Sequence, residues 1–345
     1  MIIKLMMKIS KFLAILAFGG LFAASVASCH KSSDDDDTLY IDGTLTFELA
    51  AWAESGSTHE LIPSGVTYGS DKKTPGFYWY TSRSTSTRDT TRFEGDPASV
   101  TGKYTLEIPA DFTGSLTVTC NAYASGYALR TQASTTVVVN KETSLNIPSQ
   151  TDTDPVFTDD RDGQKYRYTS INGLDWFARN LAYTGGYAPY GTELLRDFFG
   201  TFYTWEEART ACPDGWRLPS AADWKSLGIG IGDASADEHS VFKGVAGKLM
   251  TEAYFNGKKL WEFNTSVKVT GESAFAALPT GYANVDGDDF KFSDFSNYAV
   301  YWTAEELNAD QAYYRYMYVA SPDVRIATGS KASFAAPVRC VRESL

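Results

Sequence analysis

The segment that most restricts the fold lies at residues 203–224, "YTWEEARTACPDGWRLPSAADW". Trp205, Ala208 and Cys212 fall at positions i, i+3 and i+7, so they share one face of a short helix and point toward a core. Thr204 is suited to cap this helix, and the Pro and Gly that follow the cysteine end it. A serine then caps a second helix. The residues alone leave open whether Cys212 is a nucleophile, a metal ligand or half of a disulfide.

The first 28 residues have the organisation of a bacterial signal peptide. Three lysines accompany an apolar run at residues 12–26, and its length of about 15 residues falls short of the ~20 that span a bilayer. An uncleaved membrane anchor is the alternative. The sequence "VASC" that ends at Cys29 resembles the lipobox of bacterial lipoproteins, which implies cleavage before Cys29 and acylation of that cysteine.

Residues 29–39 form an acidic tether whose "SSDDDD" run is similar to the export tag of Bacteroidetes surface lipoproteins. A solvated charged spacer is the plain alternative, and both interpretations can hold together. Together these features predict an outer-membrane, lipid-anchored protein that faces outward.

Cleavage after residue 28 removes three lysines and no acidic residue, so the net charge would fall from −11 to −14. Such a charge repels phosphate backbones and excludes nucleic acid as an expected partner.

Residues 40–148 predict an all-β unit. Runs such as "GFYWYTS", "KYTLEIP", "SLTVTCNAYA" and "STTVVVN" are separated by Gly, Pro, Ser and Asp clusters at the spacing of a β-sandwich. Their order resembles that of bacterial immunoglobulin-like modules, with Trp79 where such folds place a buried tryptophan. Cys120 has no cysteine on an earlier strand to pair with, so we expect a buried free thiol that packs as a small apolar residue.

Residues 149–158 are polar and aperiodic, contain Pro155 and predict a linker. The sequence beyond this linker carries an ordered set of segments: "FTDDRDGQKYRYTSINGLDWFARNLAY", "YTWEEARTACPDGWRLPSAADW", "AFAALPTGYAN", "YAVYWTAEE" and "AAPVRCVR". This set closely resembles the Fibrobacter succinogenes major paralogous domain over residues 157–342. That family occurs on bacterial surface lipoproteins. The resemblance implies a C-type-lectin-like α+β domain at residues 159–345.

The resemblance also implies a role for two cysteines. In C-type-lectin-like folds a cysteine on the first helix pairs with one on the last strand, and Cys212 and Cys340 stand in those places. An exported protein can keep such a bond. The bond would close a loop of more than a hundred residues and stabilise the fold by about 4–5 kcal/mol.

Signatures of catalysis are missing from the sequence, which contains no HExxH, GxSxG, P-loop or CxxC pattern. "GIGIG" at residues 228–232 follows a helix rather than a strand and predicts a flexible connection. His30, His59 and His239 are scattered, which disfavours a zinc site and a catalytic partner for Cys212. Formylglycine-generating enzymes have a related fold, but their chemistry requires reactive cysteines. We therefore do not expect an enzyme.

The one metal candidate is the acidic segment "NVDGDD". Its oxygen ligands around a central glycine are of the kind that binds Ca²⁺ in loops, whereas a solvated hairpin is the simpler interpretation and the one we favour. The sugar-binding EPN or QPD and WND motifs of Ca²⁺-dependent C-type lectins are absent. Calcium is thus the only cofactor candidate, with the ligands Asn284, Asp286, Asp288 and Asp289.

Tyrosine-rich segments are the other candidate binding site. "GGYAPYG" and "AYYRYMYV" carry rings that can stack on sugars or form interface hot spots. Two-residue periodicity places Tyr313, Arg315 and Met317 on one side of a strand and the other tyrosines on the opposite side, and one side must be core. Packing within the domain is the alternative role. The candidate ligand-binding residues are Tyr187, Tyr190, Tyr314 and Tyr316.

Together these patterns predict a surface-anchored, non-catalytic lipoprotein that recognises a glycan or a protein in adhesion or nutrient capture. An immunoglobulin-like sandwich would act as a spacer for the C-type-lectin-like domain. A structural subunit or tip component of a surface fibre is the first alternative. An enzyme of the formylglycine-generating fold is the second, and a fold of this kind does not decide among them.

Overall fold

The computed structural model describes residues 41–68, 76–86, 89–94, 102–123, 130–287 and 289–344. Cys29, the predicted signal peptide and the predicted tether lie outside these residues. Among the helices of the described residues, none has the length and apolar character that crossing a bilayer requires. The architecture of the described residues is mostly β.

The strands of the N-terminal part are β1 (Ile41–Thr46), β2 (Trp52–Glu54), β3 (Thr58–Leu61), β4 (Ser64–Tyr68), β5 (Gly76–Ser86), β6 (Asp89–Glu94), β7 (Tyr104–Glu107), β8 (Gly114–Tyr123), β9 (Arg130–Val139) and β10 (Leu145–Asn146). Five of them form a sheet in the order β2-β9-β8-β5-β6, in which β2 runs parallel to β9. Two antiparallel pairs, β1-β4 and β3-β7, contribute apolar residues to the same core as this sheet.

This core is centred on Trp79, which is fully buried and donates from its indole nitrogen to the carbonyl oxygen of Gly102 at 2.8 Å. Cys120 lies opposite Trp79 in the β5-β8 register and is a buried free thiol, as predicted. Burial raises the pKa of the Cys120 thiol to about 12. The thiol therefore stays protonated and packs as a small apolar group.

The strands of the C-terminal part are β11 (Val156–Thr158), β12 (Lys165–Ile171), β13 (Leu174–Phe177), β14 (Tyr254–Phe255), β15 (Lys258–Lys259), β16 (Tyr282–Asp286), β17 (Asp289–Ser293), β18 (Tyr298–Glu306), β19 (Gln311–Tyr318), β20 (Arg325–Ser330), β21 (Phe334–Ala335) and β22 (Val341–Glu343). The helices are α1 (Arg196–Phe199), α2 (Trp205–Ala211), α3 (Ala221–Gly230) and α4 (Ala246–Leu249), with 3-10 turns at Pro189–Gly191 and Glu193–Leu195.

Both helices predicted from residues 203–224 form, because their ends carry reciprocal caps. Thr204 caps α2 together with Glu207, and Ser220 caps α3 together with Asp223. The "GIGIG" segment differs from the prediction, since its first three residues complete α3 instead of forming a flexible connection. Gly228 is required there because an added Cβ would lie 2.7 Å from the Cβ of Ala236. Close packing thus outweighs the low helix propensity of glycine.

A disulfide joins Cys212, at the end of α2, to Cys340, just before β22. This pairing confirms the one that the family resemblance implied. β22 completes the four-stranded sheet β11-β12-β13-β22 by pairing with β13, so the last strand of the C-terminal part belongs to the same sheet as its first strands. The bond fixes α2 against this sheet.

The sheet β18-β19-β20 has a core on each face. One core contains Trp224, Phe275 and Met317, and the other contains Trp205 and Trp302. Alternate residues of β18 and β19 feed the two cores, which holds the central sheet rigidly in place.

The N-terminal and C-terminal parts share a further apolar cluster centred on Trp52. Its indole ring lies 5.5–6.2 Å, between ring centroids, from Tyr190, Phe199, Phe255 and Phe295. β10, which falls inside the predicted sandwich, pairs with β14 of the C-terminal part. β11 begins inside the predicted linker and pairs with β12. The predicted domain boundaries at residues 148 and 158 stay predictions.

Candidate functional site

The candidate site is built on β19, where two-residue alternation separates a fully buried face from one that the second core covers only in part. Arg315 and Met317 are fully buried, as the predicted core side requires. Tyr314, Tyr316 and Tyr318 lie on the opposite face and are half-buried. Tyrosines on a β-strand suit this position, since the ring packs on the sheet and the hydroxyl reaches water.

Four rings form a continuous row on this face, and we call them the outer tyrosines: Tyr298, Tyr314, Tyr316 and Tyr318. Tyr298 lies opposite Tyr318 in the β18-β19 register, and their rings stack at 5.2 Å between centroids with a 12° interplanar angle. Along β19, neighbouring rings lie 5.9 and 6.1 Å apart. The row therefore follows the direction of β19.

Phe334 and Tyr282 extend the row onto the neighbouring sheet β17-β16-β21. Phe334 stacks on Tyr314 at 5.0 Å, and Tyr282 stacks on Phe334 at 5.2 Å. Trp302 lies opposite Tyr314 in the β18-β19 register, and its ring is 5.3 Å from that of Phe334 and edge-on to it. We call the six rings, namely Tyr282, Phe334 and the outer tyrosines, the tyrosine ladder.

The outer tyrosines are half-buried, and their hydroxyl groups are not enclosed by the protein. Within the described part of the chain, no protein group hydrogen-bonds to them, and none of the four oxygens belongs to the buried polar atoms that lack a partner. Other tyrosines of the domain behave differently. The hydroxyl of Tyr166 accepts from the backbone N–H of Ala182, and that of Tyr203 donates to the carbonyl oxygen of Tyr183. The outer tyrosines thus keep their hydrogen-bonding capacity free for a ligand.

Three of the ladder hydroxyls, those of Tyr282, Tyr298 and Tyr314, also stay protonated at neutral pH. Partial burial and the nearby Asp294 carboxylate raise the pKa of Tyr282 to about 12. The same two causes raise the pKa of Tyr298, and burial raises that of Tyr314. A protonated phenol both donates and accepts a hydrogen bond. The chemistry available at these three hydroxyls is therefore hydrogen bonding.

The calcium candidates lie beside the ladder. Asn284 and Asp286 are exposed on β16, two and four residues after Tyr282, so they share its face. β16 and β17 form a hairpin in which Asp286 pairs with Asp289. Asp288 lies outside the described residues, and the side chain of Asp289 is likewise not described. Among the described side chains, no group of three or more His, Cys, Asp or Glu converges as a metal site. The calcium site stays a prediction.

The structure separates the two tyrosines of "GGYAPYG" from the ladder. Tyr187 is half-buried, with its ring 3.9 Å from that of Phe290 on β17. Tyr190 is buried, and its hydroxyl donates to the carbonyl oxygen of Thr280 at 2.9 Å. Its ring belongs to the cluster around Trp52. Tyr190 is therefore a packing residue and is not part of the site.

Two cavities of about 160 and 420 Å³ open beside β12, away from the ladder. They share Thr169, Ser170 and Ala274 in their walls. Two of the lining hydroxyls are already used, because Thr169 donates to the carbonyl oxygen of Ser273 and Ser170 donates to Asp175. We therefore assign no chemistry to these cavities.

Sequence analysis missed Tyr282, Tyr298, Phe334 and Asp294 as members of the site. Tyr298 had a detectable signal. In "NYAVYW" two-residue alternation places Tyr298 and Trp302 on one face, and this segment precedes another tyrosine-rich strand. Phe334 had none, since it is separated from Tyr282 by a sequence distance that no local pattern covers.

These observations define a β-rich protein that carries the tyrosine ladder and has a C-terminal part closed by a disulfide. The sequence profile of the Fibrobacter succinogenes major domain matches residues 169–342, half of the chain. The chain belongs to this family, as its ordered segments predicted. No curated protein sequence matches the chain.

Solved structures show only distant likeness. A superoxide reductase (neelaredoxin) from Ignicoccus hospitalis is 11% identical over 29% of this chain and 82% of its own, with a TM-score of 0.22. A Salmonella alpha-2-macroglobulin reacted with methylamine is 14% identical over 41% of this chain and 11% of its own, with a TM-score of 0.25. The Yersinia pseudotuberculosis adhesin InvE is 12% identical over 87% of this chain and 70% of its own, with a TM-score of 0.24. At these TM-scores none of them supports an argument about this chain.

Proposed function

We propose that this protein is a non-catalytic binding protein that recognises a glycan or a protein ligand through the tyrosine ladder. The observation that carries the proposal is the row of four half-buried tyrosines whose rings lie 5.2–6.1 Å apart and whose hydroxyls have no hydrogen-bond partner in the described part of the chain. Binding surfaces are enriched in tyrosine because a rigid ring loses little conformational entropy when a ligand binds. The sheet beneath the ladder has a core on each face, so the ladder is organised before a ligand arrives.

The proposal includes a place at the cell surface. The basic and apolar start of the chain, the "VASC" sequence at Cys29 and the acidic run after it support a lipoprotein anchored in the outer membrane. In this arrangement an immunoglobulin-like sandwich is the spacer, and a C-type-lectin-like domain carries the ladder outward for adhesion or nutrient capture. The Trp52 cluster supports the spacer role, because it joins the two parts through buried aromatic rings.

The test is a glycan-array screen of the full chain in mild detergent, with Ca²⁺ and again with a chelator. The variant Y314A/Y316A removes two ladder rings, and Y123F is the matched control because Tyr123 is exposed on β8 of the N-terminal part. We expect binding that Y314A/Y316A abolishes and Y123F keeps. Binding lost with the chelator would move the site to Asn284 and Asp286. Absence of binding in both conditions would contradict glycan recognition and leave a protein as the ligand.

A further inference from the structure

The stacking within the ladder limits how a ligand can approach it. Sugar rings commonly bind by lying flat on an aromatic face. In the ladder those faces are occupied by neighbours: Tyr298 and Tyr318 stack at a 12° interplanar angle, and Tyr314 and Phe334 stack at 15°. Stacking of this kind covers ring faces and leaves the ring edges with their hydroxyls uncovered, and none of the outer hydroxyls is a buried atom without a partner. A ligand must therefore meet the ladder edge-on.

The polar groups of this surface favour a hydroxyl-rich ligand over a protein with an apolar contact surface. Protein interfaces have a core of buried apolar side chains. The exposed large apolar residues of the described chain all lie elsewhere: Ile62, Tyr123, Val156, Ile229, Phe263 and Leu307. The ladder instead offers phenol hydroxyls, with the amide of Asn284 on the same face of the adjoining strand. Such a surface matches a ligand that is rich in hydroxyl groups.

The charge of the surface points to a neutral ligand. The whole chain carries a net charge of −11, and Asp294 lies close enough to Tyr282 and Tyr298 to raise the pKa of both. Arg325, with its guanidinium 5.6 Å from the ring centroid of Tyr318, is the cation at the opposite end. Lys291, which is exposed and lies opposite Asn284 in the β16-β17 register, is a further cation beside the ladder. A polyanion would therefore meet carboxylates and cations alternately, with no surface of one sign to hold it.

We infer that the tyrosine ladder binds a neutral, linear polysaccharide that lies along β19 and is held by hydrogen bonds from phenol hydroxyls at the ring edges. This inference rests on the proposed function, of which it specifies the ligand class and the mode of contact. The regular spacing of the rings, 5.9 and 6.1 Å along β19, suits a polymer that repeats the same hydroxyl pattern. Calcium has no part in this mode of binding.

Binding by hydrogen bonds from the phenol hydroxyls, which we call the hydroxyl mode, requires the hydroxyl groups of the tyrosines and not only their rings. A Tyr→Phe substitution keeps the ring, its stacking and the fold, and removes only the hydroxyl. One lost hydrogen bond costs about fivefold in affinity, so Y314F/Y316F/Y318F should weaken binding roughly hundredfold. Binding by ring faces would tolerate the same substitutions.

The experiment is affinity gel electrophoresis of the full chain in detergent through gels that contain one soluble polysaccharide each. The neutral probes are xyloglucan, mixed-linkage β-glucan, galactomannan and dextran, and the acidic probes are polygalacturonate and hyaluronan. We expect retardation by at least one neutral probe, with or without chelator, and its loss in Y314F/Y316F/Y318F but not in Y123F. Circular dichroism of the triple variant checks that the fold is kept.

Each other outcome overturns a defined part of the argument. Retardation that Y314F/Y316F/Y318F keeps but Y314A/Y316A loses would refute the hydroxyl mode and leave glycan recognition standing. Retardation by acidic probes alone would refute the ligand class in the same way. Retardation that both ladder variants keep would place the site elsewhere. No retardation by any probe would overturn the inference, and a negative glycan array beside it would overturn glycan recognition as well.

Discussion

Removing the Cys212–Cys340 disulfide should destabilise the C-terminal part by an amount that follows from the length of its loop. The two cysteines are 128 residues apart. In the chain-entropy account of disulfides, opening a loop of this length costs roughly 5 kcal/mol at 25 °C. Cys340 is fully buried, so a C212A/C340A variant also loses about 1 kcal/mol of packing. We therefore expect a loss of about 5–6 kcal/mol, which approaches the whole stability of an ordinary domain.

The assay is urea unfolding of the purified chain, followed by tryptophan fluorescence, since six of the eight tryptophans lie in the C-terminal part. The control is C120A, which removes a buried sulfur that closes no loop. C212A/C340A should have a far lower unfolding midpoint than C120A, and a reductant should lower the wild-type midpoint without affecting the double variant. Equal midpoints for C212A/C340A and C120A would refute the reasoning, because packing alone would then explain the loss.

Three further predictions concern other parts of the structure. W52A removes the centre of the cluster that joins the two parts, so it should cost about 3–5 kcal/mol and turn one unfolding transition into two; a single unshifted transition in calorimetry would contradict this. Because burial raises the pKa of Cys120 to about 12, Cys120 in the native chain should resist iodoacetamide at pH 8 and react once unfolded; rapid labelling of native Cys120 would be contrary evidence. Tyr282 has a raised pKa in the folded state, so the stability that its protonated hydroxyl contributes is complete below pH 10 and is lost as pH rises toward 12. D294N should lower the pKa of Tyr282. This pKa is obtained by following, as pH rises, the difference in ultraviolet absorbance between chains that carry Tyr282 and chains that carry Y282F.

The contact between the two parts bears on how the ladder is presented. Trp52, at the start of β2, is packed by rings from the turn before α1, from α1 itself and from β14. Thr192 also hydrogen-bonds to the carbonyl oxygen of Trp52 at 3.4 Å. A buried aromatic joint of this kind resists bending, in contrast to a polar linker. The N-terminal part and the ladder would therefore move together.

Local features of the fold could be predicted because their causes are local. The spacing of Trp205 and Ala208 gave the buried face of α2, and Thr204 and Ser220 gave the starts of the two helices. Alternation in "YYRYMY" placed Met317 on the opposite side from the outer tyrosines. The disulfide came from family resemblance, since no local rule pairs cysteines 128 residues apart. The prediction of a flexible connection at residues 228–232 was wrong, because the contact of Gly228 with Ala236 is tertiary and no local pattern shows it.

By itself, then, the sequence determined where helices begin, which strand faces are apolar and which family the C-terminal part belongs to. Only the tertiary structure decided that Tyr190 is buried and that Tyr282, Phe334 and Tyr314 stand in one row. The physical reason is the range of the interactions. Caps and side-chain periodicity act within a few residues, whereas ring stacking between strands depends on which strands lie side by side, and that order is set by the packing of the whole core.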